Sequence, residues 1–299
     1  MLLGAVVRIT GSGAGCGQHW PTCQGEVVHL PRTVESAIEL SHRVTSGLSI
    51  LAAIALPVWA FRIFPRGHGV RRAALASLGL MVVEALIGAA LVLFRLVADD
   101  VSAARAVVLP IHLVNTSLLL GAMAIVAWGS ARDALLLRWP AEGVDWLLPA
   151  AMVGLLVVSG TGAVTALGDT LFPVAPGVEL TGKILADQAH YAHFLQRMRI
   201  LHPVIAVAVG VSLLPVAQAV AAARPAASGW CRTIQVLVVV QLAAGTVNVV
   251  LLAPGWMQVV HLALAVAVWL SLVLAWVSAG VEDGRTVAGA GIESGLARP

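Results

Sequence analysis

Hydropathy divides the chain into seven long apolar runs, near 37–61, 73–97, 106–128, 145–166, 198–222, 233–253 and 257–279, with a shorter run opening it at Met1–Val7. Each long run reaches the roughly 20 residues that a helix needs to cross a hydrocarbon core about 30 Å thick. None alternates apolar and polar positions with period two, as a membrane strand would, so the runs predict helices that satisfy their own backbone groups. Polar positions inside the runs are few, and one kind recurs: His42, His112, His202 and His261 each sit near the start of a different run.

The pattern is used twice. Val83-Glu84-Ala85-Leu86-Ile87-Gly88 and the later Ile111-His112-Leu113 are echoed by Val240-Gln241-Leu242-Ala243-Ala244-Gly245 and Val260-His261-Leu262. Leu40-Ser41-His42-Arg43 is echoed by Ile200-Leu201-His202-Pro203, and Thr10-Gly11-Ser12-Gly13 by Ser159-Gly160-Thr161-Gly162. The expected fold is an all-α polytopic membrane protein of eight transmembrane helices in two pseudosymmetric four-helix bundles, residues 1–140 and 141–280, followed by a disordered cytoplasmic tail, 281–299. Aligning Gly11 with Gly160 sets Met1 opposite Ala150, which leaves the first helix about a turn or two short of its partner. A true start upstream of Met1 and a short first helix are the two explanations, and no basic leader marks a signal peptide.

Composition fixes the solvent. With 59% hydrophobic and 11% charged residues and a mean hydropathy of +0.93, the chain carries more apolar surface than a water-soluble core can hide. Gly47, Gly88, Gly121, Gly210 and Gly245 fall inside the runs, where a missing side chain lets helices approach or leaves room for a flat ligand. Arg62, Arg66, Arg71 and Arg72 crowd one loop, with Arg132, Arg138, Arg224 and Arg232 on the same side, so that side is expected to be cytoplasmic.

The histidines then belong to the outer face. Eight antiparallel spans bring the second, fourth, sixth and eighth in from one side, each with its imidazole about five residues deep, roughly 7 Å at 1.5 Å per residue. An imidazole at that depth is a functional candidate and a ligand for iron, and two pairs in two halves suggest two haem-sized sites. Arg43, Arg197 and Arg199 lie within a turn of a histidine, where a haem propionate would want a cation. Glu39, three residues before His42, shares its face one turn nearer the surface, and the equivalent position in the second half is Arg199. Glu84 lies mid-span opposite Gln241, and the two are expected to hydrogen-bond across the pseudo-twofold interface with Glu84 protonated. Cys16 and Cys23 flank a short outer loop; a disulfide is the expected state there, a cycling thiol pair the sharper alternative. Cys231 reads as a free buried thiol.

In order along the chain, Gly4-Ala5-Val6-Val7-Arg8-Ile9-Thr10-Gly11-Ser12-Gly13, Cys16, Trp20-Pro21-Thr22-Cys23, Glu39-Leu40-Ser41-His42-Arg43 and the three later histidines resemble haem A synthase of the haem–copper oxidase assembly pathway. The resemblance covers nearly the whole chain. It implies that His202 and His261, with Arg199 near them, hold a haem b cofactor in the second bundle. His42, His112 and Arg43 would form the haem o substrate site in the first, with Glu39 the catalytic carboxylate and Cys16 with Cys23 the outer-loop pair. The chain departs from the family in its abbreviated first helix, in Glu84, where glutamine is commoner, and in lacking a second cysteine pair in 167–197.

The implied activity oxidises the C8 methyl of haem o to a formyl group through a hydroxymethyl haem, in the inner cell membrane with both haem sites toward the outer face. Two imidazoles can hold a haem iron, and a cavity open to lipid suits the macrocycle and its farnesyl tail. No nucleotide, flavin or iron–sulfur motif is visible, so a separate electron-transfer partner is expected. The farnesyltransferase that makes haem o is a second candidate partner, homo-oligomerisation is left open, and no nucleic acid is implied. Two alternatives use similar helices. A bis-histidine di-haem b-type electron carrier would place its haems near opposite faces, and a haem exporter or chaperone has no need of Glu39 in one half only.

Overall fold

In a computed structural model, which describes residues 1–132 and 143–295 with side chains to 280, the chain is helical throughout its apolar runs and carries no strand among the described residues. In order these are α1 (Leu2–Ile9), α2 (Val34–Ile63), α3 (Gly69–Leu93), α4 (Ala103–Gly129), α5 (Leu147–Leu171), α6 (Leu180–Gln188), α7 (Phe194–Arg197), α8 (Leu201–Ala223), α9 (Ser228–Val250) and α10 (Gly255–Gly295). Seven helical stretches among the described residues are long and apolar enough to cross a membrane, one for each long run, and the chain is a multi-pass membrane protein. Arg138, placed on the cytoplasmic side by its charge, lies outside the described residues, as do residues 296–299 and the side chains beyond Gly280.

Helix starts follow local chemistry. The Thr33 hydroxyl accepts from the Ser36 amide at 3.2 Å to cap α2, and Ser102 accepts from the Arg105 amide at 3.2 Å to cap α4, each satisfying a donor that has no partner within its helix. The ends of α3 and α9 repeat bond for bond. Phe94 N–H donates to Ala90, Arg95 to Val92 and Leu96 to Leu91, as Leu251 does to Val247, Leu252 to Val249 and Ala253 to Asn248. The sequence echo between those two helices is thus a backbone echo too.

The first helix departs from expectation. α1 has only eight residues and is not among the spanning helices. Gly11 lies beyond its end at φ 67°, whereas Gly160 is mid-helix in α5, so the Gly11–Gly160 register fails. Contacts supply the correct one. Gly4 stands against His42 as Gly162 stands against His202, which sets Met1 opposite Ser159 and matches α1 to the later part of α5. Sequence similarity misled because both segments carry the same small-residue string, one in a turn and one in a helix. The region after α5 also differs, since α5 runs on to Leu171 and the short helices α6 and α7 follow it before α8.

α5, α8, α9 and α10 close around one apolar core that includes Leu148, Leu213, Ile234, Val268 and Leu272. Against them lies α4. There the buried Trp269 of α10 donates its indole N–H to the Ser117 carbonyl at 2.5 Å, and Gly121 leaves the room, since a Cβ there would meet Trp269 Nε1 at 3.2 Å. Trp269→Phe is expected to lower stability by about 1–2 kcal/mol through the lost hydrogen bond. Thermal unfolding in detergent checks this, and an unchanged midpoint would mean that this contact does not hold the halves together.

Candidate functional site

His42 on α2, His112 on α4, His202 on α8 and His261 on α10 all lie within about three turns of the N-terminal ends of their spans. The rings of His202 and His261 face one another with centroids 6.3 Å apart and planes at 86°. Two imidazoles bound to opposite sides of one metal, at roughly 2 Å from each nitrogen, would stand about 6 Å apart centre to centre. His42 and His112 stand within electrostatic reach of each other and of Glu84.

Each ring lies against a glycine of a neighbouring helix. A Cβ added at Gly162 would come 2.9 Å from His202 Cε1, and one at Gly245 3.0 Å from His261 Cε1. In the first half the corresponding distances are 3.6 Å for Gly4 and His42 and 3.9 Å for Gly88 and His112. A side chain at Gly162 or Gly245 would crowd its ring, whereas one at Gly4 or Gly88 would only touch it, so the first half is the looser of the two. The Nδ1 atom of His261 is buried and without a hydrogen-bond partner among the described residues. Two rings and an orphaned ring nitrogen fit residues that would hold a haem iron, and glycines against them fit a flat group. Among the described residues no cluster of three or more His, Cys, Asp or Glu gathers to hold a bare ion.

The side chains beside the rings differ between halves. Glu84 accepts from Asn115 Nδ2 at 2.7 Å and from the Thr116 hydroxyl, and its Oε2 lies 3.4 Å from His112 Nδ1. Gln241, its repeat partner, contacts His261 Nε2 at 3.2 Å, and Thr161 contacts His202 Nδ1 at 3.3 Å. The expected Glu84–Gln241 bond is therefore corrected: each residue serves the histidine of its own half. Asn115 and Thr116 were not foreseen, although their spacing of three and four from His112 puts them on its face.

The segments that precede α2 and α8 are clamped down. Cys16 and Cys23 form a disulfide and are buried. Glu39, 3% exposed, accepts from the Cys16 amide at 2.7 Å and from Arg43 Nε at 3.1 Å. Arg43 also bonds Glu39 through Nη2, the His19 carbonyl and the Thr22 carbonyl at 2.5 Å. In the second half Arg199 is equally buried. It pairs with Asp187 of α6 at 2.8 Å and lies 3.2 Å from Asp169 of α5, which also pairs with Lys183 at 2.9 Å. It donates to the carbonyls of Gly168 and Phe172 at 2.6 and 2.7 Å. Arg197 reaches the carbonyls of Ala189 and His190. Asp169 and Asp187 escaped the sequence reading, though a buried cation at the Glu39-equivalent position required acids near it.

A third cation joins the halves. Arg8 of α1 donates to the Ala166 carbonyl at 2.6 Å, to Thr170 and to Gln258 at 2.9 Å, three residues before His261. Arg199→Gln is expected to cost about 3–5 kcal/mol, because it leaves Asp187 buried without its cation. It should also expose residues 175–193 to protease. Wild-type stability with unaltered cleavage would show that the clamp is not needed for α6 to dock.

Comparison with known proteins places these residues in context. A family model, COX15-CtaA, described as cytochrome oxidase assembly protein, matches residues 32–273. A protein of Thermus thermophilus named protoheme IX farnesyltransferase is 47% identical over 280 residues, covering 93% of this chain and 46% of that protein. Heme A synthase of Geobacillus kaustophilus is 43% identical over 91 residues, 30% of this chain and 29% of the relative. That of Alkalihalophilus pseudofirmus is 39% identical over 94 residues, 31% and 32%. The chain thus spans about half the length of the Thermus relative.

Proposed function

The chain belongs to the COX15-CtaA family of cytochrome oxidase assembly proteins, and from that premise we propose that it is a haem A synthase, an oxidoreductase that converts the C8 methyl of haem o to a formyl group. The observation that carries the reading is the facing pair His202 and His261, 6.3 Å apart, repeated in sequence by His42 and His112. We assign the second pair to a resident haem b and the first to the substrate, haem o. The two pairs belong to two four-helix bundles, residues 1–140 and 141–280, with the sites toward the outer face of the inner cell membrane.

Bound between His202 and His261, haem b supplies one-electron transfer. The protein does the rest by placement. His42 and His112 orient the substrate, and the glycines beside them keep its plane accessible. Glu84 and its Asn115 and Thr116 bonds fix the His112 ring, as outer partners of a metal-ligating histidine do. Glu39, one turn outward from His42, stabilises positive charge developing at the reacting carbon or accepts a proton there. Arg43 holds that carboxylate in place, and Arg43 and Arg199 are the cations assigned to the propionates.

The Thermus relative, named for a farnesyltransferase and about twice as long, supports pairing this chain with the enzyme that makes haem o. An electron-transfer partner is a further expectation. Against a di-haem carrier or a haem exporter stands the buried carboxylate Glu39 in one half only.

Pigments extracted after co-expression with a haem o source test the reading, since only the enzyme yields haem A or its alcohol precursor. Glu39→Gln is expected to retain haem and to lower aldehyde formation about 100-fold or more. Full activity in that variant would remove Glu39 from the chemistry. His202→Ala is expected to lose haem b, and a stoichiometric haem b in it would overturn the assignment of that pair.

A further inference from the structure

The two halves share their imidazoles but differ just below them. On α2, His42, Ser46, Ile50 and Ile54 follow at intervals of four and so share a face; on α3, Gly88, Ala85, Met81 and Leu78 follow at intervals of three and four. Between these faces lies an apolar cleft of about 140 Å³, lined by Ile50 and Ile54 from α2 and by Leu78, Met81, Ala85 and Leu86 from α3. It extends about 12 Å along α3 at 1.5 Å per residue. Its rim is open, with Ile54 and Leu86 48% and 62% exposed on a surface that meets hydrocarbon. Ala85 of that lining lies one turn before Gly88, against which His112 rests.

The second half closes the same place. By the repeat, Ile50 becomes Gly210, Ala85 becomes Leu242, Ile54 becomes Leu214 and Leu78 becomes Gln235. Leu242 fills the gap, lying so near that a Cβ on Gly210 would come within 3.1 Å of Leu242 Cδ2. Gln235 Nε2 bridges to the Leu214 carbonyl at 3.4 Å, and Val238, the counterpart of Met81, is buried in the core beside Leu213.

We propose that the α2–α3 cleft is the subsite for the isoprenoid tail of the porphyrin substrate. This rests on the haem A synthase reading and adds to it the means by which the halves sort two haems. A tailed porphyrin enters the first half, where the cleft receives the chain. The second half, shut by Leu242, accepts only an untailed one. The apolar lining suits a chain that offers no hydrogen bonds, and the open rim lets it arrive from lipid without crossing the ion-paired outer segments.

The test titrates the full-length protein, with its second-half haem already in place, with haem o or with protohaem, followed by optical difference spectra. Wild type is expected to bind haem o roughly tenfold or more tighter than protohaem, the scale on which an apolar pocket discriminates. Ala85→Leu, which copies the filling residue of the other half, and Ile54→Trp, which blocks the rim, are each expected to remove that preference while protohaem binds as before. Equal affinities in wild type, or an undiminished preference in both variants, would overturn the tail subsite and leave the haem A synthase reading standing. Loss of protohaem along with haem o in both variants would also overturn it, by showing that the cleft shapes the whole site. Failure of wild type to take up a second equivalent of either porphyrin would overturn the functional reading and the subsite with it.

Discussion

A ring that points between packed helices needs room on the helix opposite. Four histidines meet that condition, each against its own glycine: His42 and Gly4, His112 and Gly88, His202 and Gly162, His261 and Gly245. At Gly162 and Gly245 the contact limits how near the helices stand. A methyl group on Gly162 or Gly245 would collide with an imidazole at 2.9 or 3.0 Å, so the glycines determine the site as much as the histidines do. Buried imidazoles are costly among apolar side chains unless a partner satisfies them, and the orphaned His261 nitrogen marks where such a partner belongs.

Around that repeated core the two halves have diverged in charge and in space. One clamps its outer segment with a buried carboxylate, Glu39, held by Arg43 and a disulfide-loop amide. The other uses a buried guanidinium, Arg199, held by Asp187 and Asp169. Both devices occupy equivalent positions, three residues before a histidine, and tie down a neighbouring segment, one through an acid and the other through a cation. The first half is also looser at its glycines and open between α2 and α3. A site that must admit and release a molecule needs that slack, and a site that keeps its occupant is better without it.

Much of this was legible in the sequence because the bilayer allows so few solutions. Run length gave seven of the eight expected spans, and the fourfold recurrence of histidine pointed to rings of which His202 and His261 stand 6.3 Å apart. Repetition was less reliable for the first helix. Thr10-Gly11-Ser12-Gly13 and Ser159-Gly160-Thr161-Gly162 are alike in composition, yet one is a turn and the other mid-helix, since small residues are tolerated in both. Glu84 and Gln241 were correctly matched to each other and wrongly paired with each other. Their equivalence under the repeat means that each faces its own histidine, not its counterpart. Asp169 was missed because α5 runs on past its apolar run to Leu171, and Asp187 because it sits on α6, in a connection that shows no periodicity.

The central claim is that each half grips one porphyrin iron between two imidazoles. Low-temperature electron paramagnetic resonance of the full-length protein, purified after co-expression with a haem o source, tests it most directly. Two low-spin bis-imidazole haems per chain are expected, with one lost on replacing His261 and the other on replacing His112. A single such signal, or a spectrum unmoved by either replacement, would contradict the account.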